Sequence, residues 1–186
     1  MAESGKSFGI EEEKFGAFLL YRLTNSRTGE NVSILPDFGG AINSMALKHN
    51  DSLVEILNGY NSADELRKNL NTSFKGSNLL PFPNRINNGK YTFEGKDYQL
   101  NVNFPHESNA IHGLIFDIPF KVTDKKTDAA SCSLKLEYSS RPFPGYPFHY
   151  LVKIVYTLSE KSGFECTVKI SNLTHQAMPA MATNLA

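Results

Sequence analysis

Apolar and polar residues alternate with period 2 along most of the chain, which predicts β-strands almost throughout. Phe15, Ala17, Leu19, Tyr21 and Leu23 fall on one phase, and the turn residues of Asn25 to Gly29 end that run. Asn31 to Leu35 reads as the returning strand, Asp37-Phe38-Gly39-Gly40 as a turn, and Ala41 to Lys48 as a third strand with Met45 and Leu47 inward. Ser52 to Leu57 is a short fourth strand. Ile118 to Val122 begins another, followed by Asp124 to Ser131 as a polar turn. In the later half, Cys132, Leu134, Leu136 and Tyr138 share one face, and Phe164, Cys166, Val168 and Ile170 share another. Tyr150 to Leu158 is apolar enough for burial on both faces.

Two segments depart from this pattern. Ser62-Ala63-Asp64-Glu65 has the capping-box spacing in which Ser and Glu each satisfy an unpaired helix donor, and Leu66 and Leu70 follow four apart, so one short helix is expected before Asn69 to Phe74. Arg141-Pro142-Phe143-Pro144-Gly145-Tyr146-Pro147-Phe148 is too rich in proline for a central strand and reads as a rigid aromatic loop. Many short strands, close turns, a single helix and no phosphate-binding glycine motif predict an all-β protein, an antiparallel β-sandwich. With no repeat and no linker, residues 1–186 are expected to form a single domain.

Composition narrows the function classes. Nineteen basic residues balance nineteen acidic ones, and no basic stripe is present, so nucleic acid is not an expected partner. Met1 to Gly16 has neither the apolar segment nor the cleavage site of a signal peptide, and the longest apolar run, Ala17 to Tyr21, is far short of the roughly 20 residues of a membrane helix. The expectation is a soluble, cytoplasmic protein with no membrane partner. Cys132 and Cys166 are too few for a disulfide framework, and both lie on apolar strand phases, where reduced core thiols are expected. Glu11-Glu12-Glu13 reads as a solvated charge run. Thirteen Phe and eight Tyr with no Trp are a strand-favouring aromatic palette.

Candidate chemistry concentrates between Gly76 and Gly113. Pro81 and Pro83 stiffen the approach to Asn84 and Arg85, a hairpin-like stretch over Tyr91 to Leu100 turns the chain back, and His112 comes 27 residues after Arg85. An Arg and a His brought to one concavity supply a fixed cation and a titratable donor. Taken singly, Arg85 would pair with a surface carboxylate and His112 would be a turn residue. Glu107 is expected to face water, the alternative being that it orients His112. His49 and His175 read as solvated turn residues, and His149 adjoins the aromatic loop.

The run P-F-P-N-R-I-x-x-G-x-Y-x-F-x-G-x-x-Y-x-L followed by I-H-G, from Pro81 to Gly113, resembles the aldose 1-epimerases, also called galactose mutarotases. The resemblance implies the galactose-mutarotase-like supersandwich and an isomerase that interconverts the α and β anomers of a hexose by acid–base ring opening, with no cofactor and no metal. It carries Asn84, Arg85 and His112 over as substrate-binding residues. The loop at Arg141 to Phe148 resembles the family loop that borders the sugar. The family's acid His, in an H-x-Y-F motif, and its base Glu have no counterpart here: the segment Lys169 to Pro179 that would lead into them continues only to Ala186. No catalytic residue is therefore assigned, and the chain is expected to be a truncated sandwich, a poor or inactive mutarotase, and prone to self-association through strands left uncovered, Phe164, Cys166, Val168 and Ile170 foremost. The alternatives are a non-catalytic carbohydrate-binding module and an interaction protein with no sugar site.

Overall fold

Two hairpin meanders make up most of the chain, because each alternating run ends in residues that reverse it. The computed structural model describes residues 7–184. Residues 1–6, part of the segment read for a signal peptide, and residues 185–186 lie outside it. Strands β1 (Phe8–Phe15), β2 (Phe18–Asn25), β3 (Asn31–Leu35), β4 (Ala41–His49) and β5 (Ser52–Asn58) form an antiparallel sheet in chain order. Helix α1 (Ala63–Ser73) follows. The middle of the chain carries β6 (Asn78–Leu79), β7 (Arg85–Asn87), β8 (Lys90–Phe93), β9 (Lys96–Gln99) and β10 (Asn109–Ile111), with β8 and β9 as a hairpin and β7 paired with β10. The second meander is β11 (Lys121–Thr127), β12 (Ser131–Ser139), β13 (Tyr150–Ser159) and β14 (Gly163–Asn172); β15 (Thr183–Asn184) returns to pair with β6.

The two meanders pack face to face. Leu23, Val32 and Ile34 from the first and Leu134, Leu136, Val152, Ile154, Tyr156 and Leu158 from the second are all fully buried in one cluster. This is the expected antiparallel sandwich, and each such side chain contributes roughly 1.5–3 kcal/mol by burial. The first sheet is buried on its other face too. There Leu20 and Leu35 meet Leu66 and Leu70 of α1 together with Phe74 and Ile111. Ser62 caps α1, its hydroxyl accepting from Glu65 N–H at 3.1 Å, while Glu65 accepts from Asn61 N–H instead of closing onto Ser62.

Several expectations need correction. The opening charge run is solvated but lies within a strand: β1 pairs with β2 along its whole length, Arg22 of β2 holds Glu13 (2.5 and 3.0 Å), and Glu12 pairs with Lys125 of the second sheet, while Glu11 and Glu12 remain exposed. Gly16 and Ala17 form the turn between β1 and β2, Gly16 at φ +63°, which takes Phe15 and Ala17 off the Tyr21 face and leaves Leu19 at the hairpin end 45% exposed. Asp124 to Ser131 is strand as far as Thr127; only the next residues turn, with Asp128 Oδ1 accepting from the N–H groups of Ala130 and Ser131. Helix α1 extends through Ser73. β13 is fully buried on one face only, because its other face carries Lys153, paired with Glu137. Met45 and Leu47 do pack against the core, as expected, though each is only half-buried, and Ala46 between them is buried as well, with a register shift of β4 between Met45 and Ala46.

Cys132 is buried, whereas Cys166 is exposed on the outermost strand of its sheet. The other residues of its stripe are partly covered: Phe164 stacks on Tyr156 at 6.2 Å, and Val168 and Ile170 pack against the core. Leu53, Val54 and Ile56 on the edge strand β5 are more open, as are Leu173 and Met181. Among the described residues, no helix is long and apolar enough to cross a membrane.

Candidate functional site

Pairing of β7 with β10 sets Arg85 opposite Ile111, and the pairing continues one residue further as a reciprocal contact. His112 N–H donates to Asn84 C=O at 3.0 Å, and Asn84 N–H donates to His112 Nδ1 at 3.2 Å. Both residues have φ +62°, the left-handed region, where Asn and His are enriched among non-glycine residues. Asn84 Oδ1 then accepts from Arg85 N–H at 2.9 Å and from Arg85 Nη1 at 3.3 Å. Asn84, Arg85 and His112 are thus one hydrogen-bonded unit. Asn suits position 84 because it has a short side-chain acceptor and tolerates positive φ.

Two supports lie behind it. Phe74, the left-handed C-cap of α1, sets its ring edge-on to His112 at 4.7 Å and to Phe116 at 5.0 Å. The Asn103 side chain brackets Ile111, accepting from its N–H at 2.7 Å and donating to its C=O at 2.9 Å. Neither Phe74 nor Asn103 was singled out from sequence, because each acts across more than one turn of chain and neither belongs to a local motif.

Glu107 neither faces water alone nor orients His112. Its carboxylate takes Arg85 in two prongs, Nε at 2.5 Å and Nη2 at 3.3 Å. The β7–β10 pairing brings the Pro105–Glu107 turn alongside Arg85, which is why a residue 22 positions away becomes its partner. The expected pairing of an isolated Arg with a surface carboxylate is therefore realised, but within the same cluster as His112. Arg85 and Glu107 both remain about half exposed, so the pair faces outward.

The electrostatics follow from this geometry. Burial first, and the Arg85 cation second, hold His112 below the ordinary histidine pKa. The hydrogen bond from Asn84 makes Nδ1 the acceptor and leaves the proton of the neutral ring on Nε2. The Arg85 hydrogen bond lowers the Glu107 carboxyl, and Glu107 raises Arg85 in return. Because the folded protein binds the His112 proton less readily than the unfolded chain, whose His titrates near about 6.5, this group's contribution to stability is complete above that pH. It is lost as pH falls through 6.5 toward the folded value. An NMR titration of His112 should give a midpoint below 6.5; one at or above 6.5 would contradict the burial argument. Among the described residues, no group of three or more His, Cys, Asp or Glu side chains could hold a metal ion.

The aldose 1-epimerase family model matches residues 20–184. The chain belongs to the aldose 1-epimerase family. A galactose mutarotase-like protein of Clostridium acetobutylicum superposes with a TM-score of 0.80 at 25% identity, over 95% of this chain and 52% of that one. Galactose 1-epimerase of Lactobacillus acidophilus shares the fold with a TM-score of 0.68 at 16% identity, over 89% of this chain and 48% of its own. The uncharacterised protein YihR of Escherichia coli K12 is 33% identical over 104 residues, 56% of this chain and 32% of YihR. The family chain described here therefore spans about half the length of the solved relatives and aligns with a third of YihR.

Other candidate residues of this family member lie apart from the Asn84 cluster. Strand alternation turns Ile86 to the face opposite Arg85. There Ile86, Phe82, Tyr91, Tyr146 and Met181 help line an apolar hollow of about 290 Å³. The aromatic loop thus borders this hollow, with Tyr146 Oη donating to Pro179 C=O at 2.5 Å. His149 Nε2 lies 3.1 Å from Ser139 Oγ beside Arg141, in a separate surface pocket. His175 is exposed in a turn, and His49 ends β4, also exposed.

Proposed function

We propose that this chain carries the sugar-holding half of an aldose 1-epimerase, with a hexose bound by Asn84, Arg85 and His112. The observation that carries this reading is the reciprocal Asn84–His112 contact, which fixes a neutral imidazole with Nε2–H free to donate beside a guanidinium. Opening a hemiacetal ring removes the proton of the anomeric hydroxyl and protonates the ring oxygen. Negative charge develops on that oxygen as the ring C–O bond breaks, and donors already aimed at it stabilise the transition state more than the ground state. His112 Nε2–H and the spare N–H groups of Arg85 are suited to this part. Removal of the anomeric proton is assigned to no residue of the chain.

Binding and catalysis are tested separately. In a ¹H–¹⁵N NMR titration with D-galactose, the amides of Asn84, Arg85 and His112 should shift, and Arg85→Ala should weaken binding by about tenfold or more, as for loss of hydrogen bonds from a charged donor. A polarimetric time course on fresh α-D-galactose then reads turnover. Titration curves that are the same for wild type and Arg85→Ala would overturn the assignment.

A further inference from the structure

Arg85 reaches the open face of the site already paired. The two prongs to Glu107 fix the plane of its guanidinium as well as its position, and Nη1 is tied to Asn84. Glu107 is itself held by backbone. It ends the single turn Pro105–Glu107, which Ser108 closes with φ +57° and an N–H donated to Pro105 C=O at 3.1 Å. Phe104 and Asn109 exchange backbone hydrogen bonds at 3.0 and 3.2 Å across the base of that turn, and Asn109 Nδ2 lies 3.4 Å from Glu107 Oε2. The carboxylate is therefore placed by a pinned turn.

A guanidinium recognises carboxylates and phosphates best through the two-pronged face that Glu107 here occupies. An anionic sugar would have to displace Glu107 from that face or approach with like charges a few ångströms apart. A neutral sugar meets neither obstacle. Of five guanidinium N–H groups three are engaged, which leaves two donors beside His112 Nε2–H, while the Glu107 oxygens keep lone pairs for sugar hydroxyls. With Arg85 and Glu107 cancelling and His112 neutral, the cluster carries no net charge and offers donors and acceptors side by side, as a polyol does.

We propose that Glu107 is a specificity-determining residue that restricts the Asn84–Arg85–His112 site to neutral aldoses and excludes sugars bearing a carboxylate or phosphate. This rests on the reading of the three residues as a sugar site. Like charges about 4 Å apart in water repel by roughly the equivalent of a fivefold change in affinity, more where solvent is thinner.

The test is an NMR titration of the full chain with D-galactose and with D-galacturonate, following the amides of Asn84, Arg85 and His112 in wild type, Glu107→Gln and Glu107→Asp. Wild type should favour galactose by about fivefold or more, with a preference that narrows as salt rises. Glu107→Gln keeps the shape and removes the charge, and should erase or reverse the preference; Glu107→Asp keeps the charge and should retain it. Equal affinities in wild type, or a preference unchanged in Glu107→Gln, would overturn the proposal while leaving the sugar site standing. No response of these three amides to either sugar in any of the proteins would overturn the sugar-site reading, and this inference with it.

Discussion

Gly113→Ala should abolish the site by unfolding the structure around it, at an expected loss of more than about 4 kcal/mol, in the range reserved for severe backbone or core damage. Gly113 has φ +83°, and a Cβ built there would lie 2.0 Å from Leu80 O and 2.5 Å from Leu80 C. Neither atom can give way easily. Leu80 is fully buried, its C=O accepts from Leu114 N–H at 2.6 Å, and it forms a bridge with Gly113 itself. Left-handed backbone alone costs a non-glycine residue about 1–2 kcal/mol, so the clash decides the outcome. Gly95 separates the two terms: it has φ +72° with nothing within 4 Å of its would-be Cβ. Gly95→Ala should show only the backbone penalty of about 1–2 kcal/mol. Denaturant unfolding of both variants checks this, and similar losses for the two would mean that the approach of Leu80 is unimportant.

The sugar-binding role of Asn84, Arg85 and His112 is read from the resemblance, not from the residues alone. As positions in a motif, with a His followed by a Gly packed against Leu80 and an Asn at positive φ that accepts from Arg85, these three stand out. Glu107 and Asn103 do not. Their roles depend on how β7 and β10 register, which no spacing between Glu107 and Arg85 announces. In the fold, β12 and β14 were legible because their sheet has one buried and one more open face, and period 2 survives. The first sheet has α1 on one side and the second sheet on the other, so Leu20 and Tyr21 are both buried and the alternation blurs. β1 was hidden by its own acids, whose partners Arg22 and Lys125 lie on neighbouring strands.

Asn78→Ala should cost about 2–4 kcal/mol, far more than an ordinary polar substitution, because it removes the hub of a buried network. Asn78, the first residue of β6, is fully buried, and the two Nδ2 hydrogens are shared among Gly39 C=O (2.9 Å), Gly40 C=O (3.2 Å) and Tyr156 Oη (2.8 Å). Tyr156, equally buried on β13, donates in turn to Gly40 C=O at 2.5 Å, and burial pushes its phenol well above the ordinary tyrosine pKa, so it stays a neutral donor. One amide thus joins the turn before β4, the second sheet and, through Asn184 Nδ2 at 3.4 Å, the returning β15. Removing it leaves acceptors of two elements without their donor and opens a void where the amide stood. Tyr156→Phe alone should cost less, about 1–2 kcal/mol, since Asn78 can still satisfy the Gly40 carbonyl. Because the two side chains share that acceptor and each other, the double variant should lose less than the sum of the single losses, by about 1 kcal/mol. A double-mutant cycle by denaturant unfolding measures this directly. Losses that add within about 0.3 kcal/mol would show that Asn78 and Tyr156 act independently and that the shared network is not a unit.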